Sequence, residues 1–405
     1  MKKLLSVILV LILFFCITGC EEGKSADKNF NIETDMQYYY RQSGTDLPMT
    51  ESPNGYYYMY YSKTNNILFY VDKETEEATP LCSKPNCLHD NPNSCDAYFD
   101  VSESVMNNQM IQYYNGKLYI LCGEYDKDFI EYKQYLLRCD LDGSNRKRVS
   151  DDFDFCFSFW CIHRGYLYYG RDNGIVRLSM DNLDGESEMV FEIKNYIKDN
   201  ESAFQPILAY DHYLYFNVDE QNEEENTVES YAVALDLKTL RYNKIRYKDE
   251  TFVSINSFAK GKVLGICRDK KTGEYVYLRG NLDGTGFREC YRRSEISTAY
   301  CDGNYYYFSD AITHAGDEDY IPNITVLDLD MNEVDSFKLP EGSWWFNAQS
   351  TDCFIMKAVD KNNRPVLVYA DKGQLGSCKG KTIEYKTLCN MDFNTNTDNY
   401  YYEAE

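Results

Sequence analysis

The stretch that decides the fold lies at residues 112–149, where Tyr113-Tyr114-Asn115-Gly116-Lys117-Leu118-Tyr119 is followed, after a polar gap, by Leu137-Arg138-Cys139-Asp140-Leu141-Asp142-Gly143. Tyr and apolar residues dominate both runs, which suits a pleated, half-buried strand. Asn115-Gly116 and Asp142-Gly143 are dipeptides that accept the positive φ of tight hairpin turns. The stretch therefore predicts a unit of three strands joined by two hairpins.

This unit recurs along the chain. Copies of its first turn begin at Asn54, Asn115, Arg164, Asp211, Lys260 and Asp302, and a degenerate seventh copy begins at Asp352. Copies of its second turn begin at Asp140, Asn182, Asp236, Asn281 and Asp328. The repeat spans roughly 40–60 residues, near the blade length of β-propellers. We therefore predict an all-β chain with a single β-propeller of seven four-stranded blades. Six or eight blades are the alternatives, because the first and last copies are the weakest.

The repeated Leu-Tyr-Tyr and Asp-Leu-Asp-Gly patterns, which cover residues 55–385, resemble the tyrosine-rich propellers of lipoproteins from clostridia and their gut relatives. Those domains are in turn distantly similar to YWTD-type propellers. The resemblance implies a propeller on an exported lipoprotein and implies no activity, since those domains are largely of unknown function. The seventh copy departs from the pattern because Cys353 replaces the turn Gly.

The N-terminus has the features of a bacterial lipoprotein signal. Lys2 and Lys3 precede an apolar run over residues 4–15, which is shorter than a membrane-spanning helix. The run ends in Ile17-Thr18-Gly19-Cys20, where small residues precede a Cys. We predict a signal peptide over residues 1–19, a lipid such as palmitate on Cys20 and a flexible tether over residues 20–30. An ordinary secretory signal or a membrane anchor is the alternative.

Charge and export restrict the partners. Removal of Lys2 and Lys3 with the signal peptide changes the net charge from −23 to −25. An acidic surface repels polyanions, so we predict no nucleic-acid partner. The predicted location is the extracellular face of the cell membrane, with the lipid as the contact to the bilayer.

Cysteine is abundant, with 15 residues in the chain. An exported chain with so many cysteines usually forms disulfides, although the 13 that remain after Cys16 and Cys20 cannot all pair. We expect the cysteines inside strand runs to be small buried side chains. These are Cys122, Cys139, Cys267 and Cys353.

A Cys-rich insertion over residues 82–108 separates the first two repeats. It places Cys82, Cys87, His89 and Cys95 within a short span. Three thiolates and an imidazole form a known tetrahedral zinc set, although C-x₄-C-x-H-x₅-C is not a common zinc-finger spacing. The alternative is a structural disulfide or free thiols. A zinc ion here would be structural, since four protein ligands leave no open position.

The sequence contains no nucleophile elbow, His-Glu-x-x-His motif or other catalytic motif. Gly376-Ser-Cys-Lys-Gly380-Lys381-Thr382 suggests a phosphate loop, but the glycine spacing is too short and no helix follows. Trp344 and Trp345 are adjacent, so a strand would direct them to opposite faces. One exposed Trp could stack on a sugar ring or anchor a partner protein; packing inside a blade is the alternative.

We predict that the propeller occupies residues 31–389, followed by a polar tail at residues 390–405. Residues 36–41 could form a strand that completes the last blade and closes the ring. The favoured role is non-catalytic binding of a glycan, a peptide or an envelope protein at the central funnel or on the blade loops. A polysaccharide hydrolase or lyase with carboxylates in the funnel, or an envelope-complex scaffold, is the alternative.

Overall fold

A computed structural model shows seven antiparallel sheets of the propeller type and confirms the predicted all-β fold. The structure describes residues 30–37, 49–60, 65–89, 94–100, 111–125, 132–150, 160–171, 174–193, 207–222, 227–248, 253–295, 298–310, 320–343, 346–347 and 352–391. Within these ranges the first strand of each sheet pairs with the second, the second with the third, and the third with the fourth.

The first four blades are built in chain order. Blade 1 contains β1 (Met49–Glu51), β2 (Gly55–Tyr60), β3 (Asn65–Asp72), β4 (Ala78–Pro80) and β5 (Tyr98–Asp100). Blade 2 contains β6 (Ile111–Tyr114), β7 (Lys117–Tyr125), β8 (Tyr132–Cys139) and β9 (Lys147–Arg148). Blade 3 contains β10 (Trp160–His163), β11 (Tyr166–Arg171), β12 (Gly174–Ser179) and β13 (Glu188–Glu192). Blade 4 contains β14 (Leu208–Tyr210), β15 (Tyr213–Asn222), β16 (Thr227–Asp236) and β17 (Tyr242–Ile245).

The last three blades follow the same plan. Blade 5 contains β18 (Ser254–Ala259), β19 (Lys262–Arg268), β20 (Tyr275–Asn281) and β21 (Arg288–Arg293). Blade 6 contains β22 (Thr298–Cys301), β23 (Tyr306–Ser309), β24 (Asn323–Leu327) and β25 (Glu333–Lys338). Blade 7 contains β26 (Phe346–Asn347), β27 (Cys353–Val359), β28 (Pro365–Asp371) and β29 (Lys386–Asn390), with a 3-10 turn at Lys372–Gln374.

The Asn-Gly-type dipeptides of the sequence form the hairpins between first and second strands. Asn115 and Gly116 have φ of 46° and 72°, and Lys260 and Gly261 have φ of 45° and 73°. Two consecutive positive φ values define the hairpin turn whose twist matches the flanking strands. Glycine tolerates this conformation without steric cost, which explains why the dipeptide recurs at the same place in the blade. We call this end of the propeller the hairpin face.

The core lies between neighbouring blades. Leu118 and Ile120 of blade 2 pack with Met59 and Leu68 of blade 1, while the neighbouring Tyr119 on the same strand packs toward blade 3. Alternate side chains of a strand point to opposite faces, so each sheet is buried on both sides. This explains the many Tyr residues, whose rings fill the core while several of their hydroxyl groups find hydrogen-bond partners.

Among the described residues the ring closes without an exchanged strand, since the four strands of blade 7 all come from residues 346–390. The predicted strand over residues 36–41 is described only at Met36 and Gln37, which do not pair with blade 7. Met36 and Gln37 instead contact blades 1, 3 and 4, and residues 38–41 lie outside the described ranges. Blade 7 packs directly on blade 1, where the Tyr58 hydroxyl lies 3.4 Å from the Cys389 sulfur and Lys386 pairs with Glu76.

The described C-terminal end of the chain extends just past the last strand. β29 ends at Asn390 and the next residue, Met391, is fully buried, whereas residues 392–405 lie outside the described ranges. No helix among the described residues is long and apolar enough to cross a membrane.

No disulfide joins the cysteines that the structure describes, contrary to the expectation from export. Cys122, Cys139, Cys267 and Cys353 are buried, as predicted, and they are distributed over several strands and cores.

Candidate functional site

The Cys-rich insertion interrupts the outer strand of blade 1. β4 pairs with Phe69–Val71 of β3, and β5 continues along the same edge by pairing with Asn65–Ile67. The backbone bonds from Leu81 N to Leu68 O and from Leu68 N to Ala97 O, each 2.8 Å long, mark the two points where the chain leaves and rejoins the edge. The excursion is therefore shorter than the predicted insertion and covers residues 82–97, which we call the knuckle.

The knuckle brings the four predicted metal ligands together. One ligand atom from each of Cys82, Cys87, His89 and Cys95 lies within 4.8 Å of the other three. His89 Nδ1 lies 3.3 Å from Cys95 Sγ. A tetrahedral zinc site with Zn–S near 2.3 Å and Zn–N near 2.1 Å needs its ligand atoms about 3.5–3.8 Å apart. Small side-chain movements would meet this requirement by bringing the wider pairs closer and by moving His89 Nδ1 and Cys95 Sγ slightly apart.

Backbone amides and one lysine surround the sulfur atoms. The N–H of Ala97 donates to Cys95 Sγ over 3.4 Å, and backbone N–H groups of Lys84 and Asp96 donate to the Cys82 sulfur. Burial raises the pKa of the Cys95 thiol to about 12. Burial also acts on Cys82, but its hydrogen bonds outweigh this effect and lower the pKa of that thiol. The surroundings thus shift the pKa values of these two thiols in opposite directions.

The second feature is the N-terminal segment, residues 30–37, which docks on the hairpin face. The backbone N–H of Met36 donates to His163 Nδ1 over 3.0 Å, and His163 Nε2 lies 2.6 Å from the carbonyl oxygen of Asp211. Only a neutral ring with its proton on Nε2 satisfies both contacts. Burial lowers the pKa of His163 to about 4, which agrees with that tautomer. His163 therefore ties the segment to blades 3 and 4.

Charged side chains reinforce this docking. The guanidinium of Arg164 donates to both oxygens of Asp35, over 2.9 and 3.0 Å, and to Asp211 Oδ1 over 2.7 Å. Asp35 is 2% exposed, so its carboxylate depends on this partner. Although burial opposes the effect, the hydrogen bonds from Arg164 and His212 hold the pKa of Asp211 below its usual range.

The segment also contacts blades 1 and 2. The Gln37 amide donates to the Glu51 carbonyl over 2.6 Å, and its oxygen accepts from the Thr50 hydroxyl and the Glu51 N–H. The Tyr113 hydroxyl donates to Glu33, whose carbonyl accepts the Asn115 N–H over 2.7 Å. The contacts therefore extend over four blades, and those to Asn115 and Arg164 place two first hairpins at the same end of the propeller. Arg164 in turn binds Asp211 of a third first hairpin.

The phosphate-loop-like stretch at residues 376–382 and the second turn that begins at Asp328 are both structural. The amides of Gly376, Cys378 and Lys379 donate to the carboxylate of Asp335, so the phosphate-loop-like stretch binds a side chain of blade 6. Burial acts to raise the pKa of Asp335, and these backbone hydrogen bonds lower it below the usual value. Asp328 accepts from the Asp330 and Asn332 amides, which is a hydrogen-bonded turn.

The remaining site predictions have different outcomes. Trp344 and Trp345 lie outside the described residues, directly before the inner strand β26, and Cys20 lies outside them as well. His163, Asp35 and Arg164 escaped the sequence analysis. A His and an Arg at the first-hairpin positions were the available signal, but the partners on the N-terminal segment are more than a hundred residues away. The sequence could not connect the two.

Comparison with known proteins supports the class of protein that the fold defines, a seven-bladed propeller. The chain is similar to a structure from a study of two prolyl endopeptidases, with 11% identity, a TM-score of 0.55, and coverage of 86% of this chain and 50% of that chain. It is also similar to the propeller domain of the trilobed protease of Pyrococcus furiosus, described as having an open velcro topology. That match has 10% identity and a TM-score of 0.51, and it covers 86% of this chain and 98% of that domain.

Both likenesses concern the fold. The chain spans half the length of the endopeptidase structure. No protein-family model matches the sequence, and no curated protein matches it.

Proposed function

We propose that the protein is a binding propeller, held by a lipid on Cys20 at the extracellular face of the cell membrane, and that it has no catalytic role. The observation that carries this proposal is the docking of residues 30–37 across the hairpin ends of blades 1–4. It supports the proposal that this end of the propeller lies nearest the lipid.

A short tether keeps the hairpin face near the bilayer. About ten residues separate Cys20 from Phe30, and a flexible coil of that length would have a root-mean-square span of roughly 16–19 Å. Second-to-third hairpins, such as those around residues 269–274 and 360–364, leave the blades at the opposite end. We call this end the distal face. It is the end that an anchored propeller presents outward.

The distal face suits recognition because propellers gather loops from every blade around one axis. Trp344 and Trp345 precede β26, on the connection that returns from the outer strand of blade 6 to the inner strand of blade 7. An aromatic platform there would stack on a sugar ring or anchor a peptide or an envelope protein. The likeness to peptidase propellers supports the fold and leaves the ligand open.

The experiment has an anchoring arm and a binding arm. Cells expressing the full chain or Cys20→Ala are labelled with palmitate analogue and fractionated. We expect label and membrane retention only for the unchanged chain. A Cys20→Ala protein that stays labelled in the membrane contradicts lipidation at Cys20.

The binding arm uses purified full-length protein in detergent against an array of mucin, plant and cell-wall glycans and a heptapeptide library. We expect a hit that weakens at least about tenfold in Trp344→Ala or Trp345→Ala, since a buried aromatic anchor contributes 1.4 kcal/mol or more. Tyr242→Ala, which removes a 49% exposed ring from the outer strand of blade 4, is the matched control. Depolymerisation of an arrayed glycan would support the hydrolase or lyase alternative instead.

A further inference from the structure

We propose that the knuckle is a structural zinc site of the Cys₃His type, which holds together the two halves of the outer strand of blade 1. The site lies beside the contact between blades 1 and 7 that closes the propeller, which we call the seam. The site goes beyond the proposed function, because it needs neither a lipid nor a ligand. The ligand set, its local surroundings and its place in the ring support a zinc site.

The ligand set favours zinc over the other ions that proteins bind. Three thiolates and a neutral imidazole match the tetrahedral structural sites of zinc, whereas calcium and magnesium take oxygen ligands. Cys82, Cys87, His89 and Cys95 come from one short loop, and their ligand atoms already lie within 4.8 Å of one another. Binding would release the thiol protons to solvent and leave all four positions of the ion filled by protein. The site would therefore hold the fold without an open position for substrate.

The surroundings also fit a thiolate-rich site. A zinc ion carries two positive charges and three thiolates carry three negative charges, so the site would have a net charge of −1. The Lys84 ammonium lies beside the loop, 2.8 Å from the Asp96 carboxylate and 2.9 Å from the Ser94 carbonyl oxygen. Backbone amides already point at two of the sulfur atoms. Such outer contacts orient metal ligands and are part of natural zinc sites. The Tyr98 hydroxyl, which donates to the His89 carbonyl over 3.0 Å, ties the loop to β5.

The position of the knuckle explains what the ion would do. Cys82 follows Leu81 at the end of β4, and Cys95 lies just before β5, so an ion bound to both joins the two halves of the edge strand. Without that link, β4 and β5 are three-residue strands separated by a long loop, and short edge strands contribute little by themselves.

The knuckle lies on the side of blade 1 that faces blade 7. Leu81 and Phe99 belong to the core shared with blade 2, whereas Cys95 and Ala97 belong to the core that includes Tyr58 and Phe69 of blade 1 and Cys353 of blade 7. The same face carries the contact of Tyr58 with Cys389. An ion beside this contact between the first and the last blade would stabilise the closure of the ring.

The first test is metal content. The full-length protein is purified in detergent without oxygen, and zinc is measured by mass spectrometry of the elements together with the thiol count before and after chelation. We expect one zinc per chain, lost in Cys87→Ser and retained in Cys290→Ser, which removes a half-buried thiol of blade 5. A metal-free, reduced protein that takes up no added zinc would overturn the site. Retention of full zinc by Cys87→Ser, or a disulfide among the three knuckle cysteines, would also overturn it.

A second variant covers the case in which Cys87→Ser does not fold. His89→Cys should keep one zinc, now with four thiolates, and His89→Ala should weaken zinc binding. Cobalt in place of zinc should give thiolate-to-metal absorption in the unchanged protein. Absence of that absorption from cobalt-loaded protein contradicts a thiolate site.

The stabilising role of the ion has its own readout in hydrogen exchange of the zinc-loaded and zinc-stripped protein. We expect removal of zinc to accelerate exchange by about tenfold or more in β4, β5 and β29, while β14 to β17 of blade 4 keep their protection. Unchanged exchange at the seam after loss of zinc would overturn the stabilising role, even if the site binds metal.

Discussion

His163 shows how one buried side chain can carry a pH dependence. Its ring is fully buried and neutral, between the Met36 amide and the Asp211 carbonyl. Burial lowers its pKa to about 4, against about 6.5 in an unfolded chain. The unfolded state therefore binds more protons than the folded state between pH 4 and 6.5. The contribution of the neutral His163 ring to the free energy of unfolding is therefore complete above pH 6.5 and is lost as the pH falls to 4.

We predict that the free energy of unfolding attributable to His163 falls by about 3 kcal/mol between pH 6.5 and 4. Denaturant titrations across this range measure it. His163→Gln should flatten the slope, whereas His212→Gln, which changes a partly exposed ring beside the same hairpin, should keep it. An equal slope in the wild type and His163→Gln would show that other groups produce the pH dependence.

Lys372 and Asp302 form a buried ion pair between blades 7 and 6. Lys372 Nζ lies 2.7 Å from Asp302 Oδ2, and both side chains are almost fully buried. The ammonium also lies about 5 Å from the ring centres of Tyr307 and Phe354. Tyr307 donates its hydroxyl to the same carboxylate oxygen over 2.7 Å. The carboxylate therefore neutralises a charge that water cannot reach.

We predict that Asp302→Asn lowers stability by about 3–5 kcal/mol, because Lys372 then stays buried without its counter-charge. Combining it with Lys372→Met should recover a large part of this loss, since no buried charge remains. Thermal and denaturant unfolding of the two single variants and the double variant measure the coupling. Additive losses would mean that the pair contributes no mutual stabilisation.

At the scale of secondary-structure elements, most of the features that could be predicted are those set by residues adjacent in sequence. The first hairpins and their strands follow from adjacent residues such as Asn115-Gly116 and the alternating runs that flank them. The division of the blade 1 edge into β4 and β5 could not be predicted, because Tyr98-Phe99-Asp100 is too short to show a strand period. The contacts of Met36 and Gln37 could not be predicted either, since the Tyr-rich run that they begin indicates a strand without indicating its partner.

The N-terminal segment was beyond prediction because its contacts are non-local. Arg164 and Asp35 are 129 residues apart, and neither the charge nor the spacing marks them as partners. The four proposed zinc ligands are the opposite case. They are close in sequence, so the pattern named all four, and folding of the knuckle brings their ligand atoms to within 4.8 Å.

We predict that Arg164→Met releases the N-terminal segment from the hairpin face, because Asp35 would otherwise remain buried without its ion pair. Limited proteolysis should then cut within residues 30–37 much faster, while the propeller resists. Arg177→Met, which removes an ion pair with the exposed Glu188 in the same blade, is the control. If the segment of Arg164→Met stays as resistant as that of the control, then its other contacts suffice for docking.

At the scale of the whole molecule, the fold and the position of the segment together define two ends. The hairpin face receives residues 30–37 and the distal face sends out the second-to-third hairpins. The repeat predicted the number of blades because every blade needs the same turns and the same two-sided burial. The ligand could not be predicted, because no local pattern in the sequence states which side chains converge at one end of a propeller.

We propose that the anchored propeller turns its hairpin face to the membrane and its distal face outward. Lysine labelling with a charged acylating reagent tests it on the full-length lipidated protein, in vesicles and in detergent. Lys260 lies in the first hairpin of blade 5, and Lys270 and Lys361 lie in the second-to-third hairpins of blades 5 and 7; all three are exposed. We predict that vesicles slow the labelling of Lys260 and leave Lys270 and Lys361 unchanged. Slower labelling of Lys270 and Lys361, with Lys260 unaffected, would contradict this orientation of the propeller.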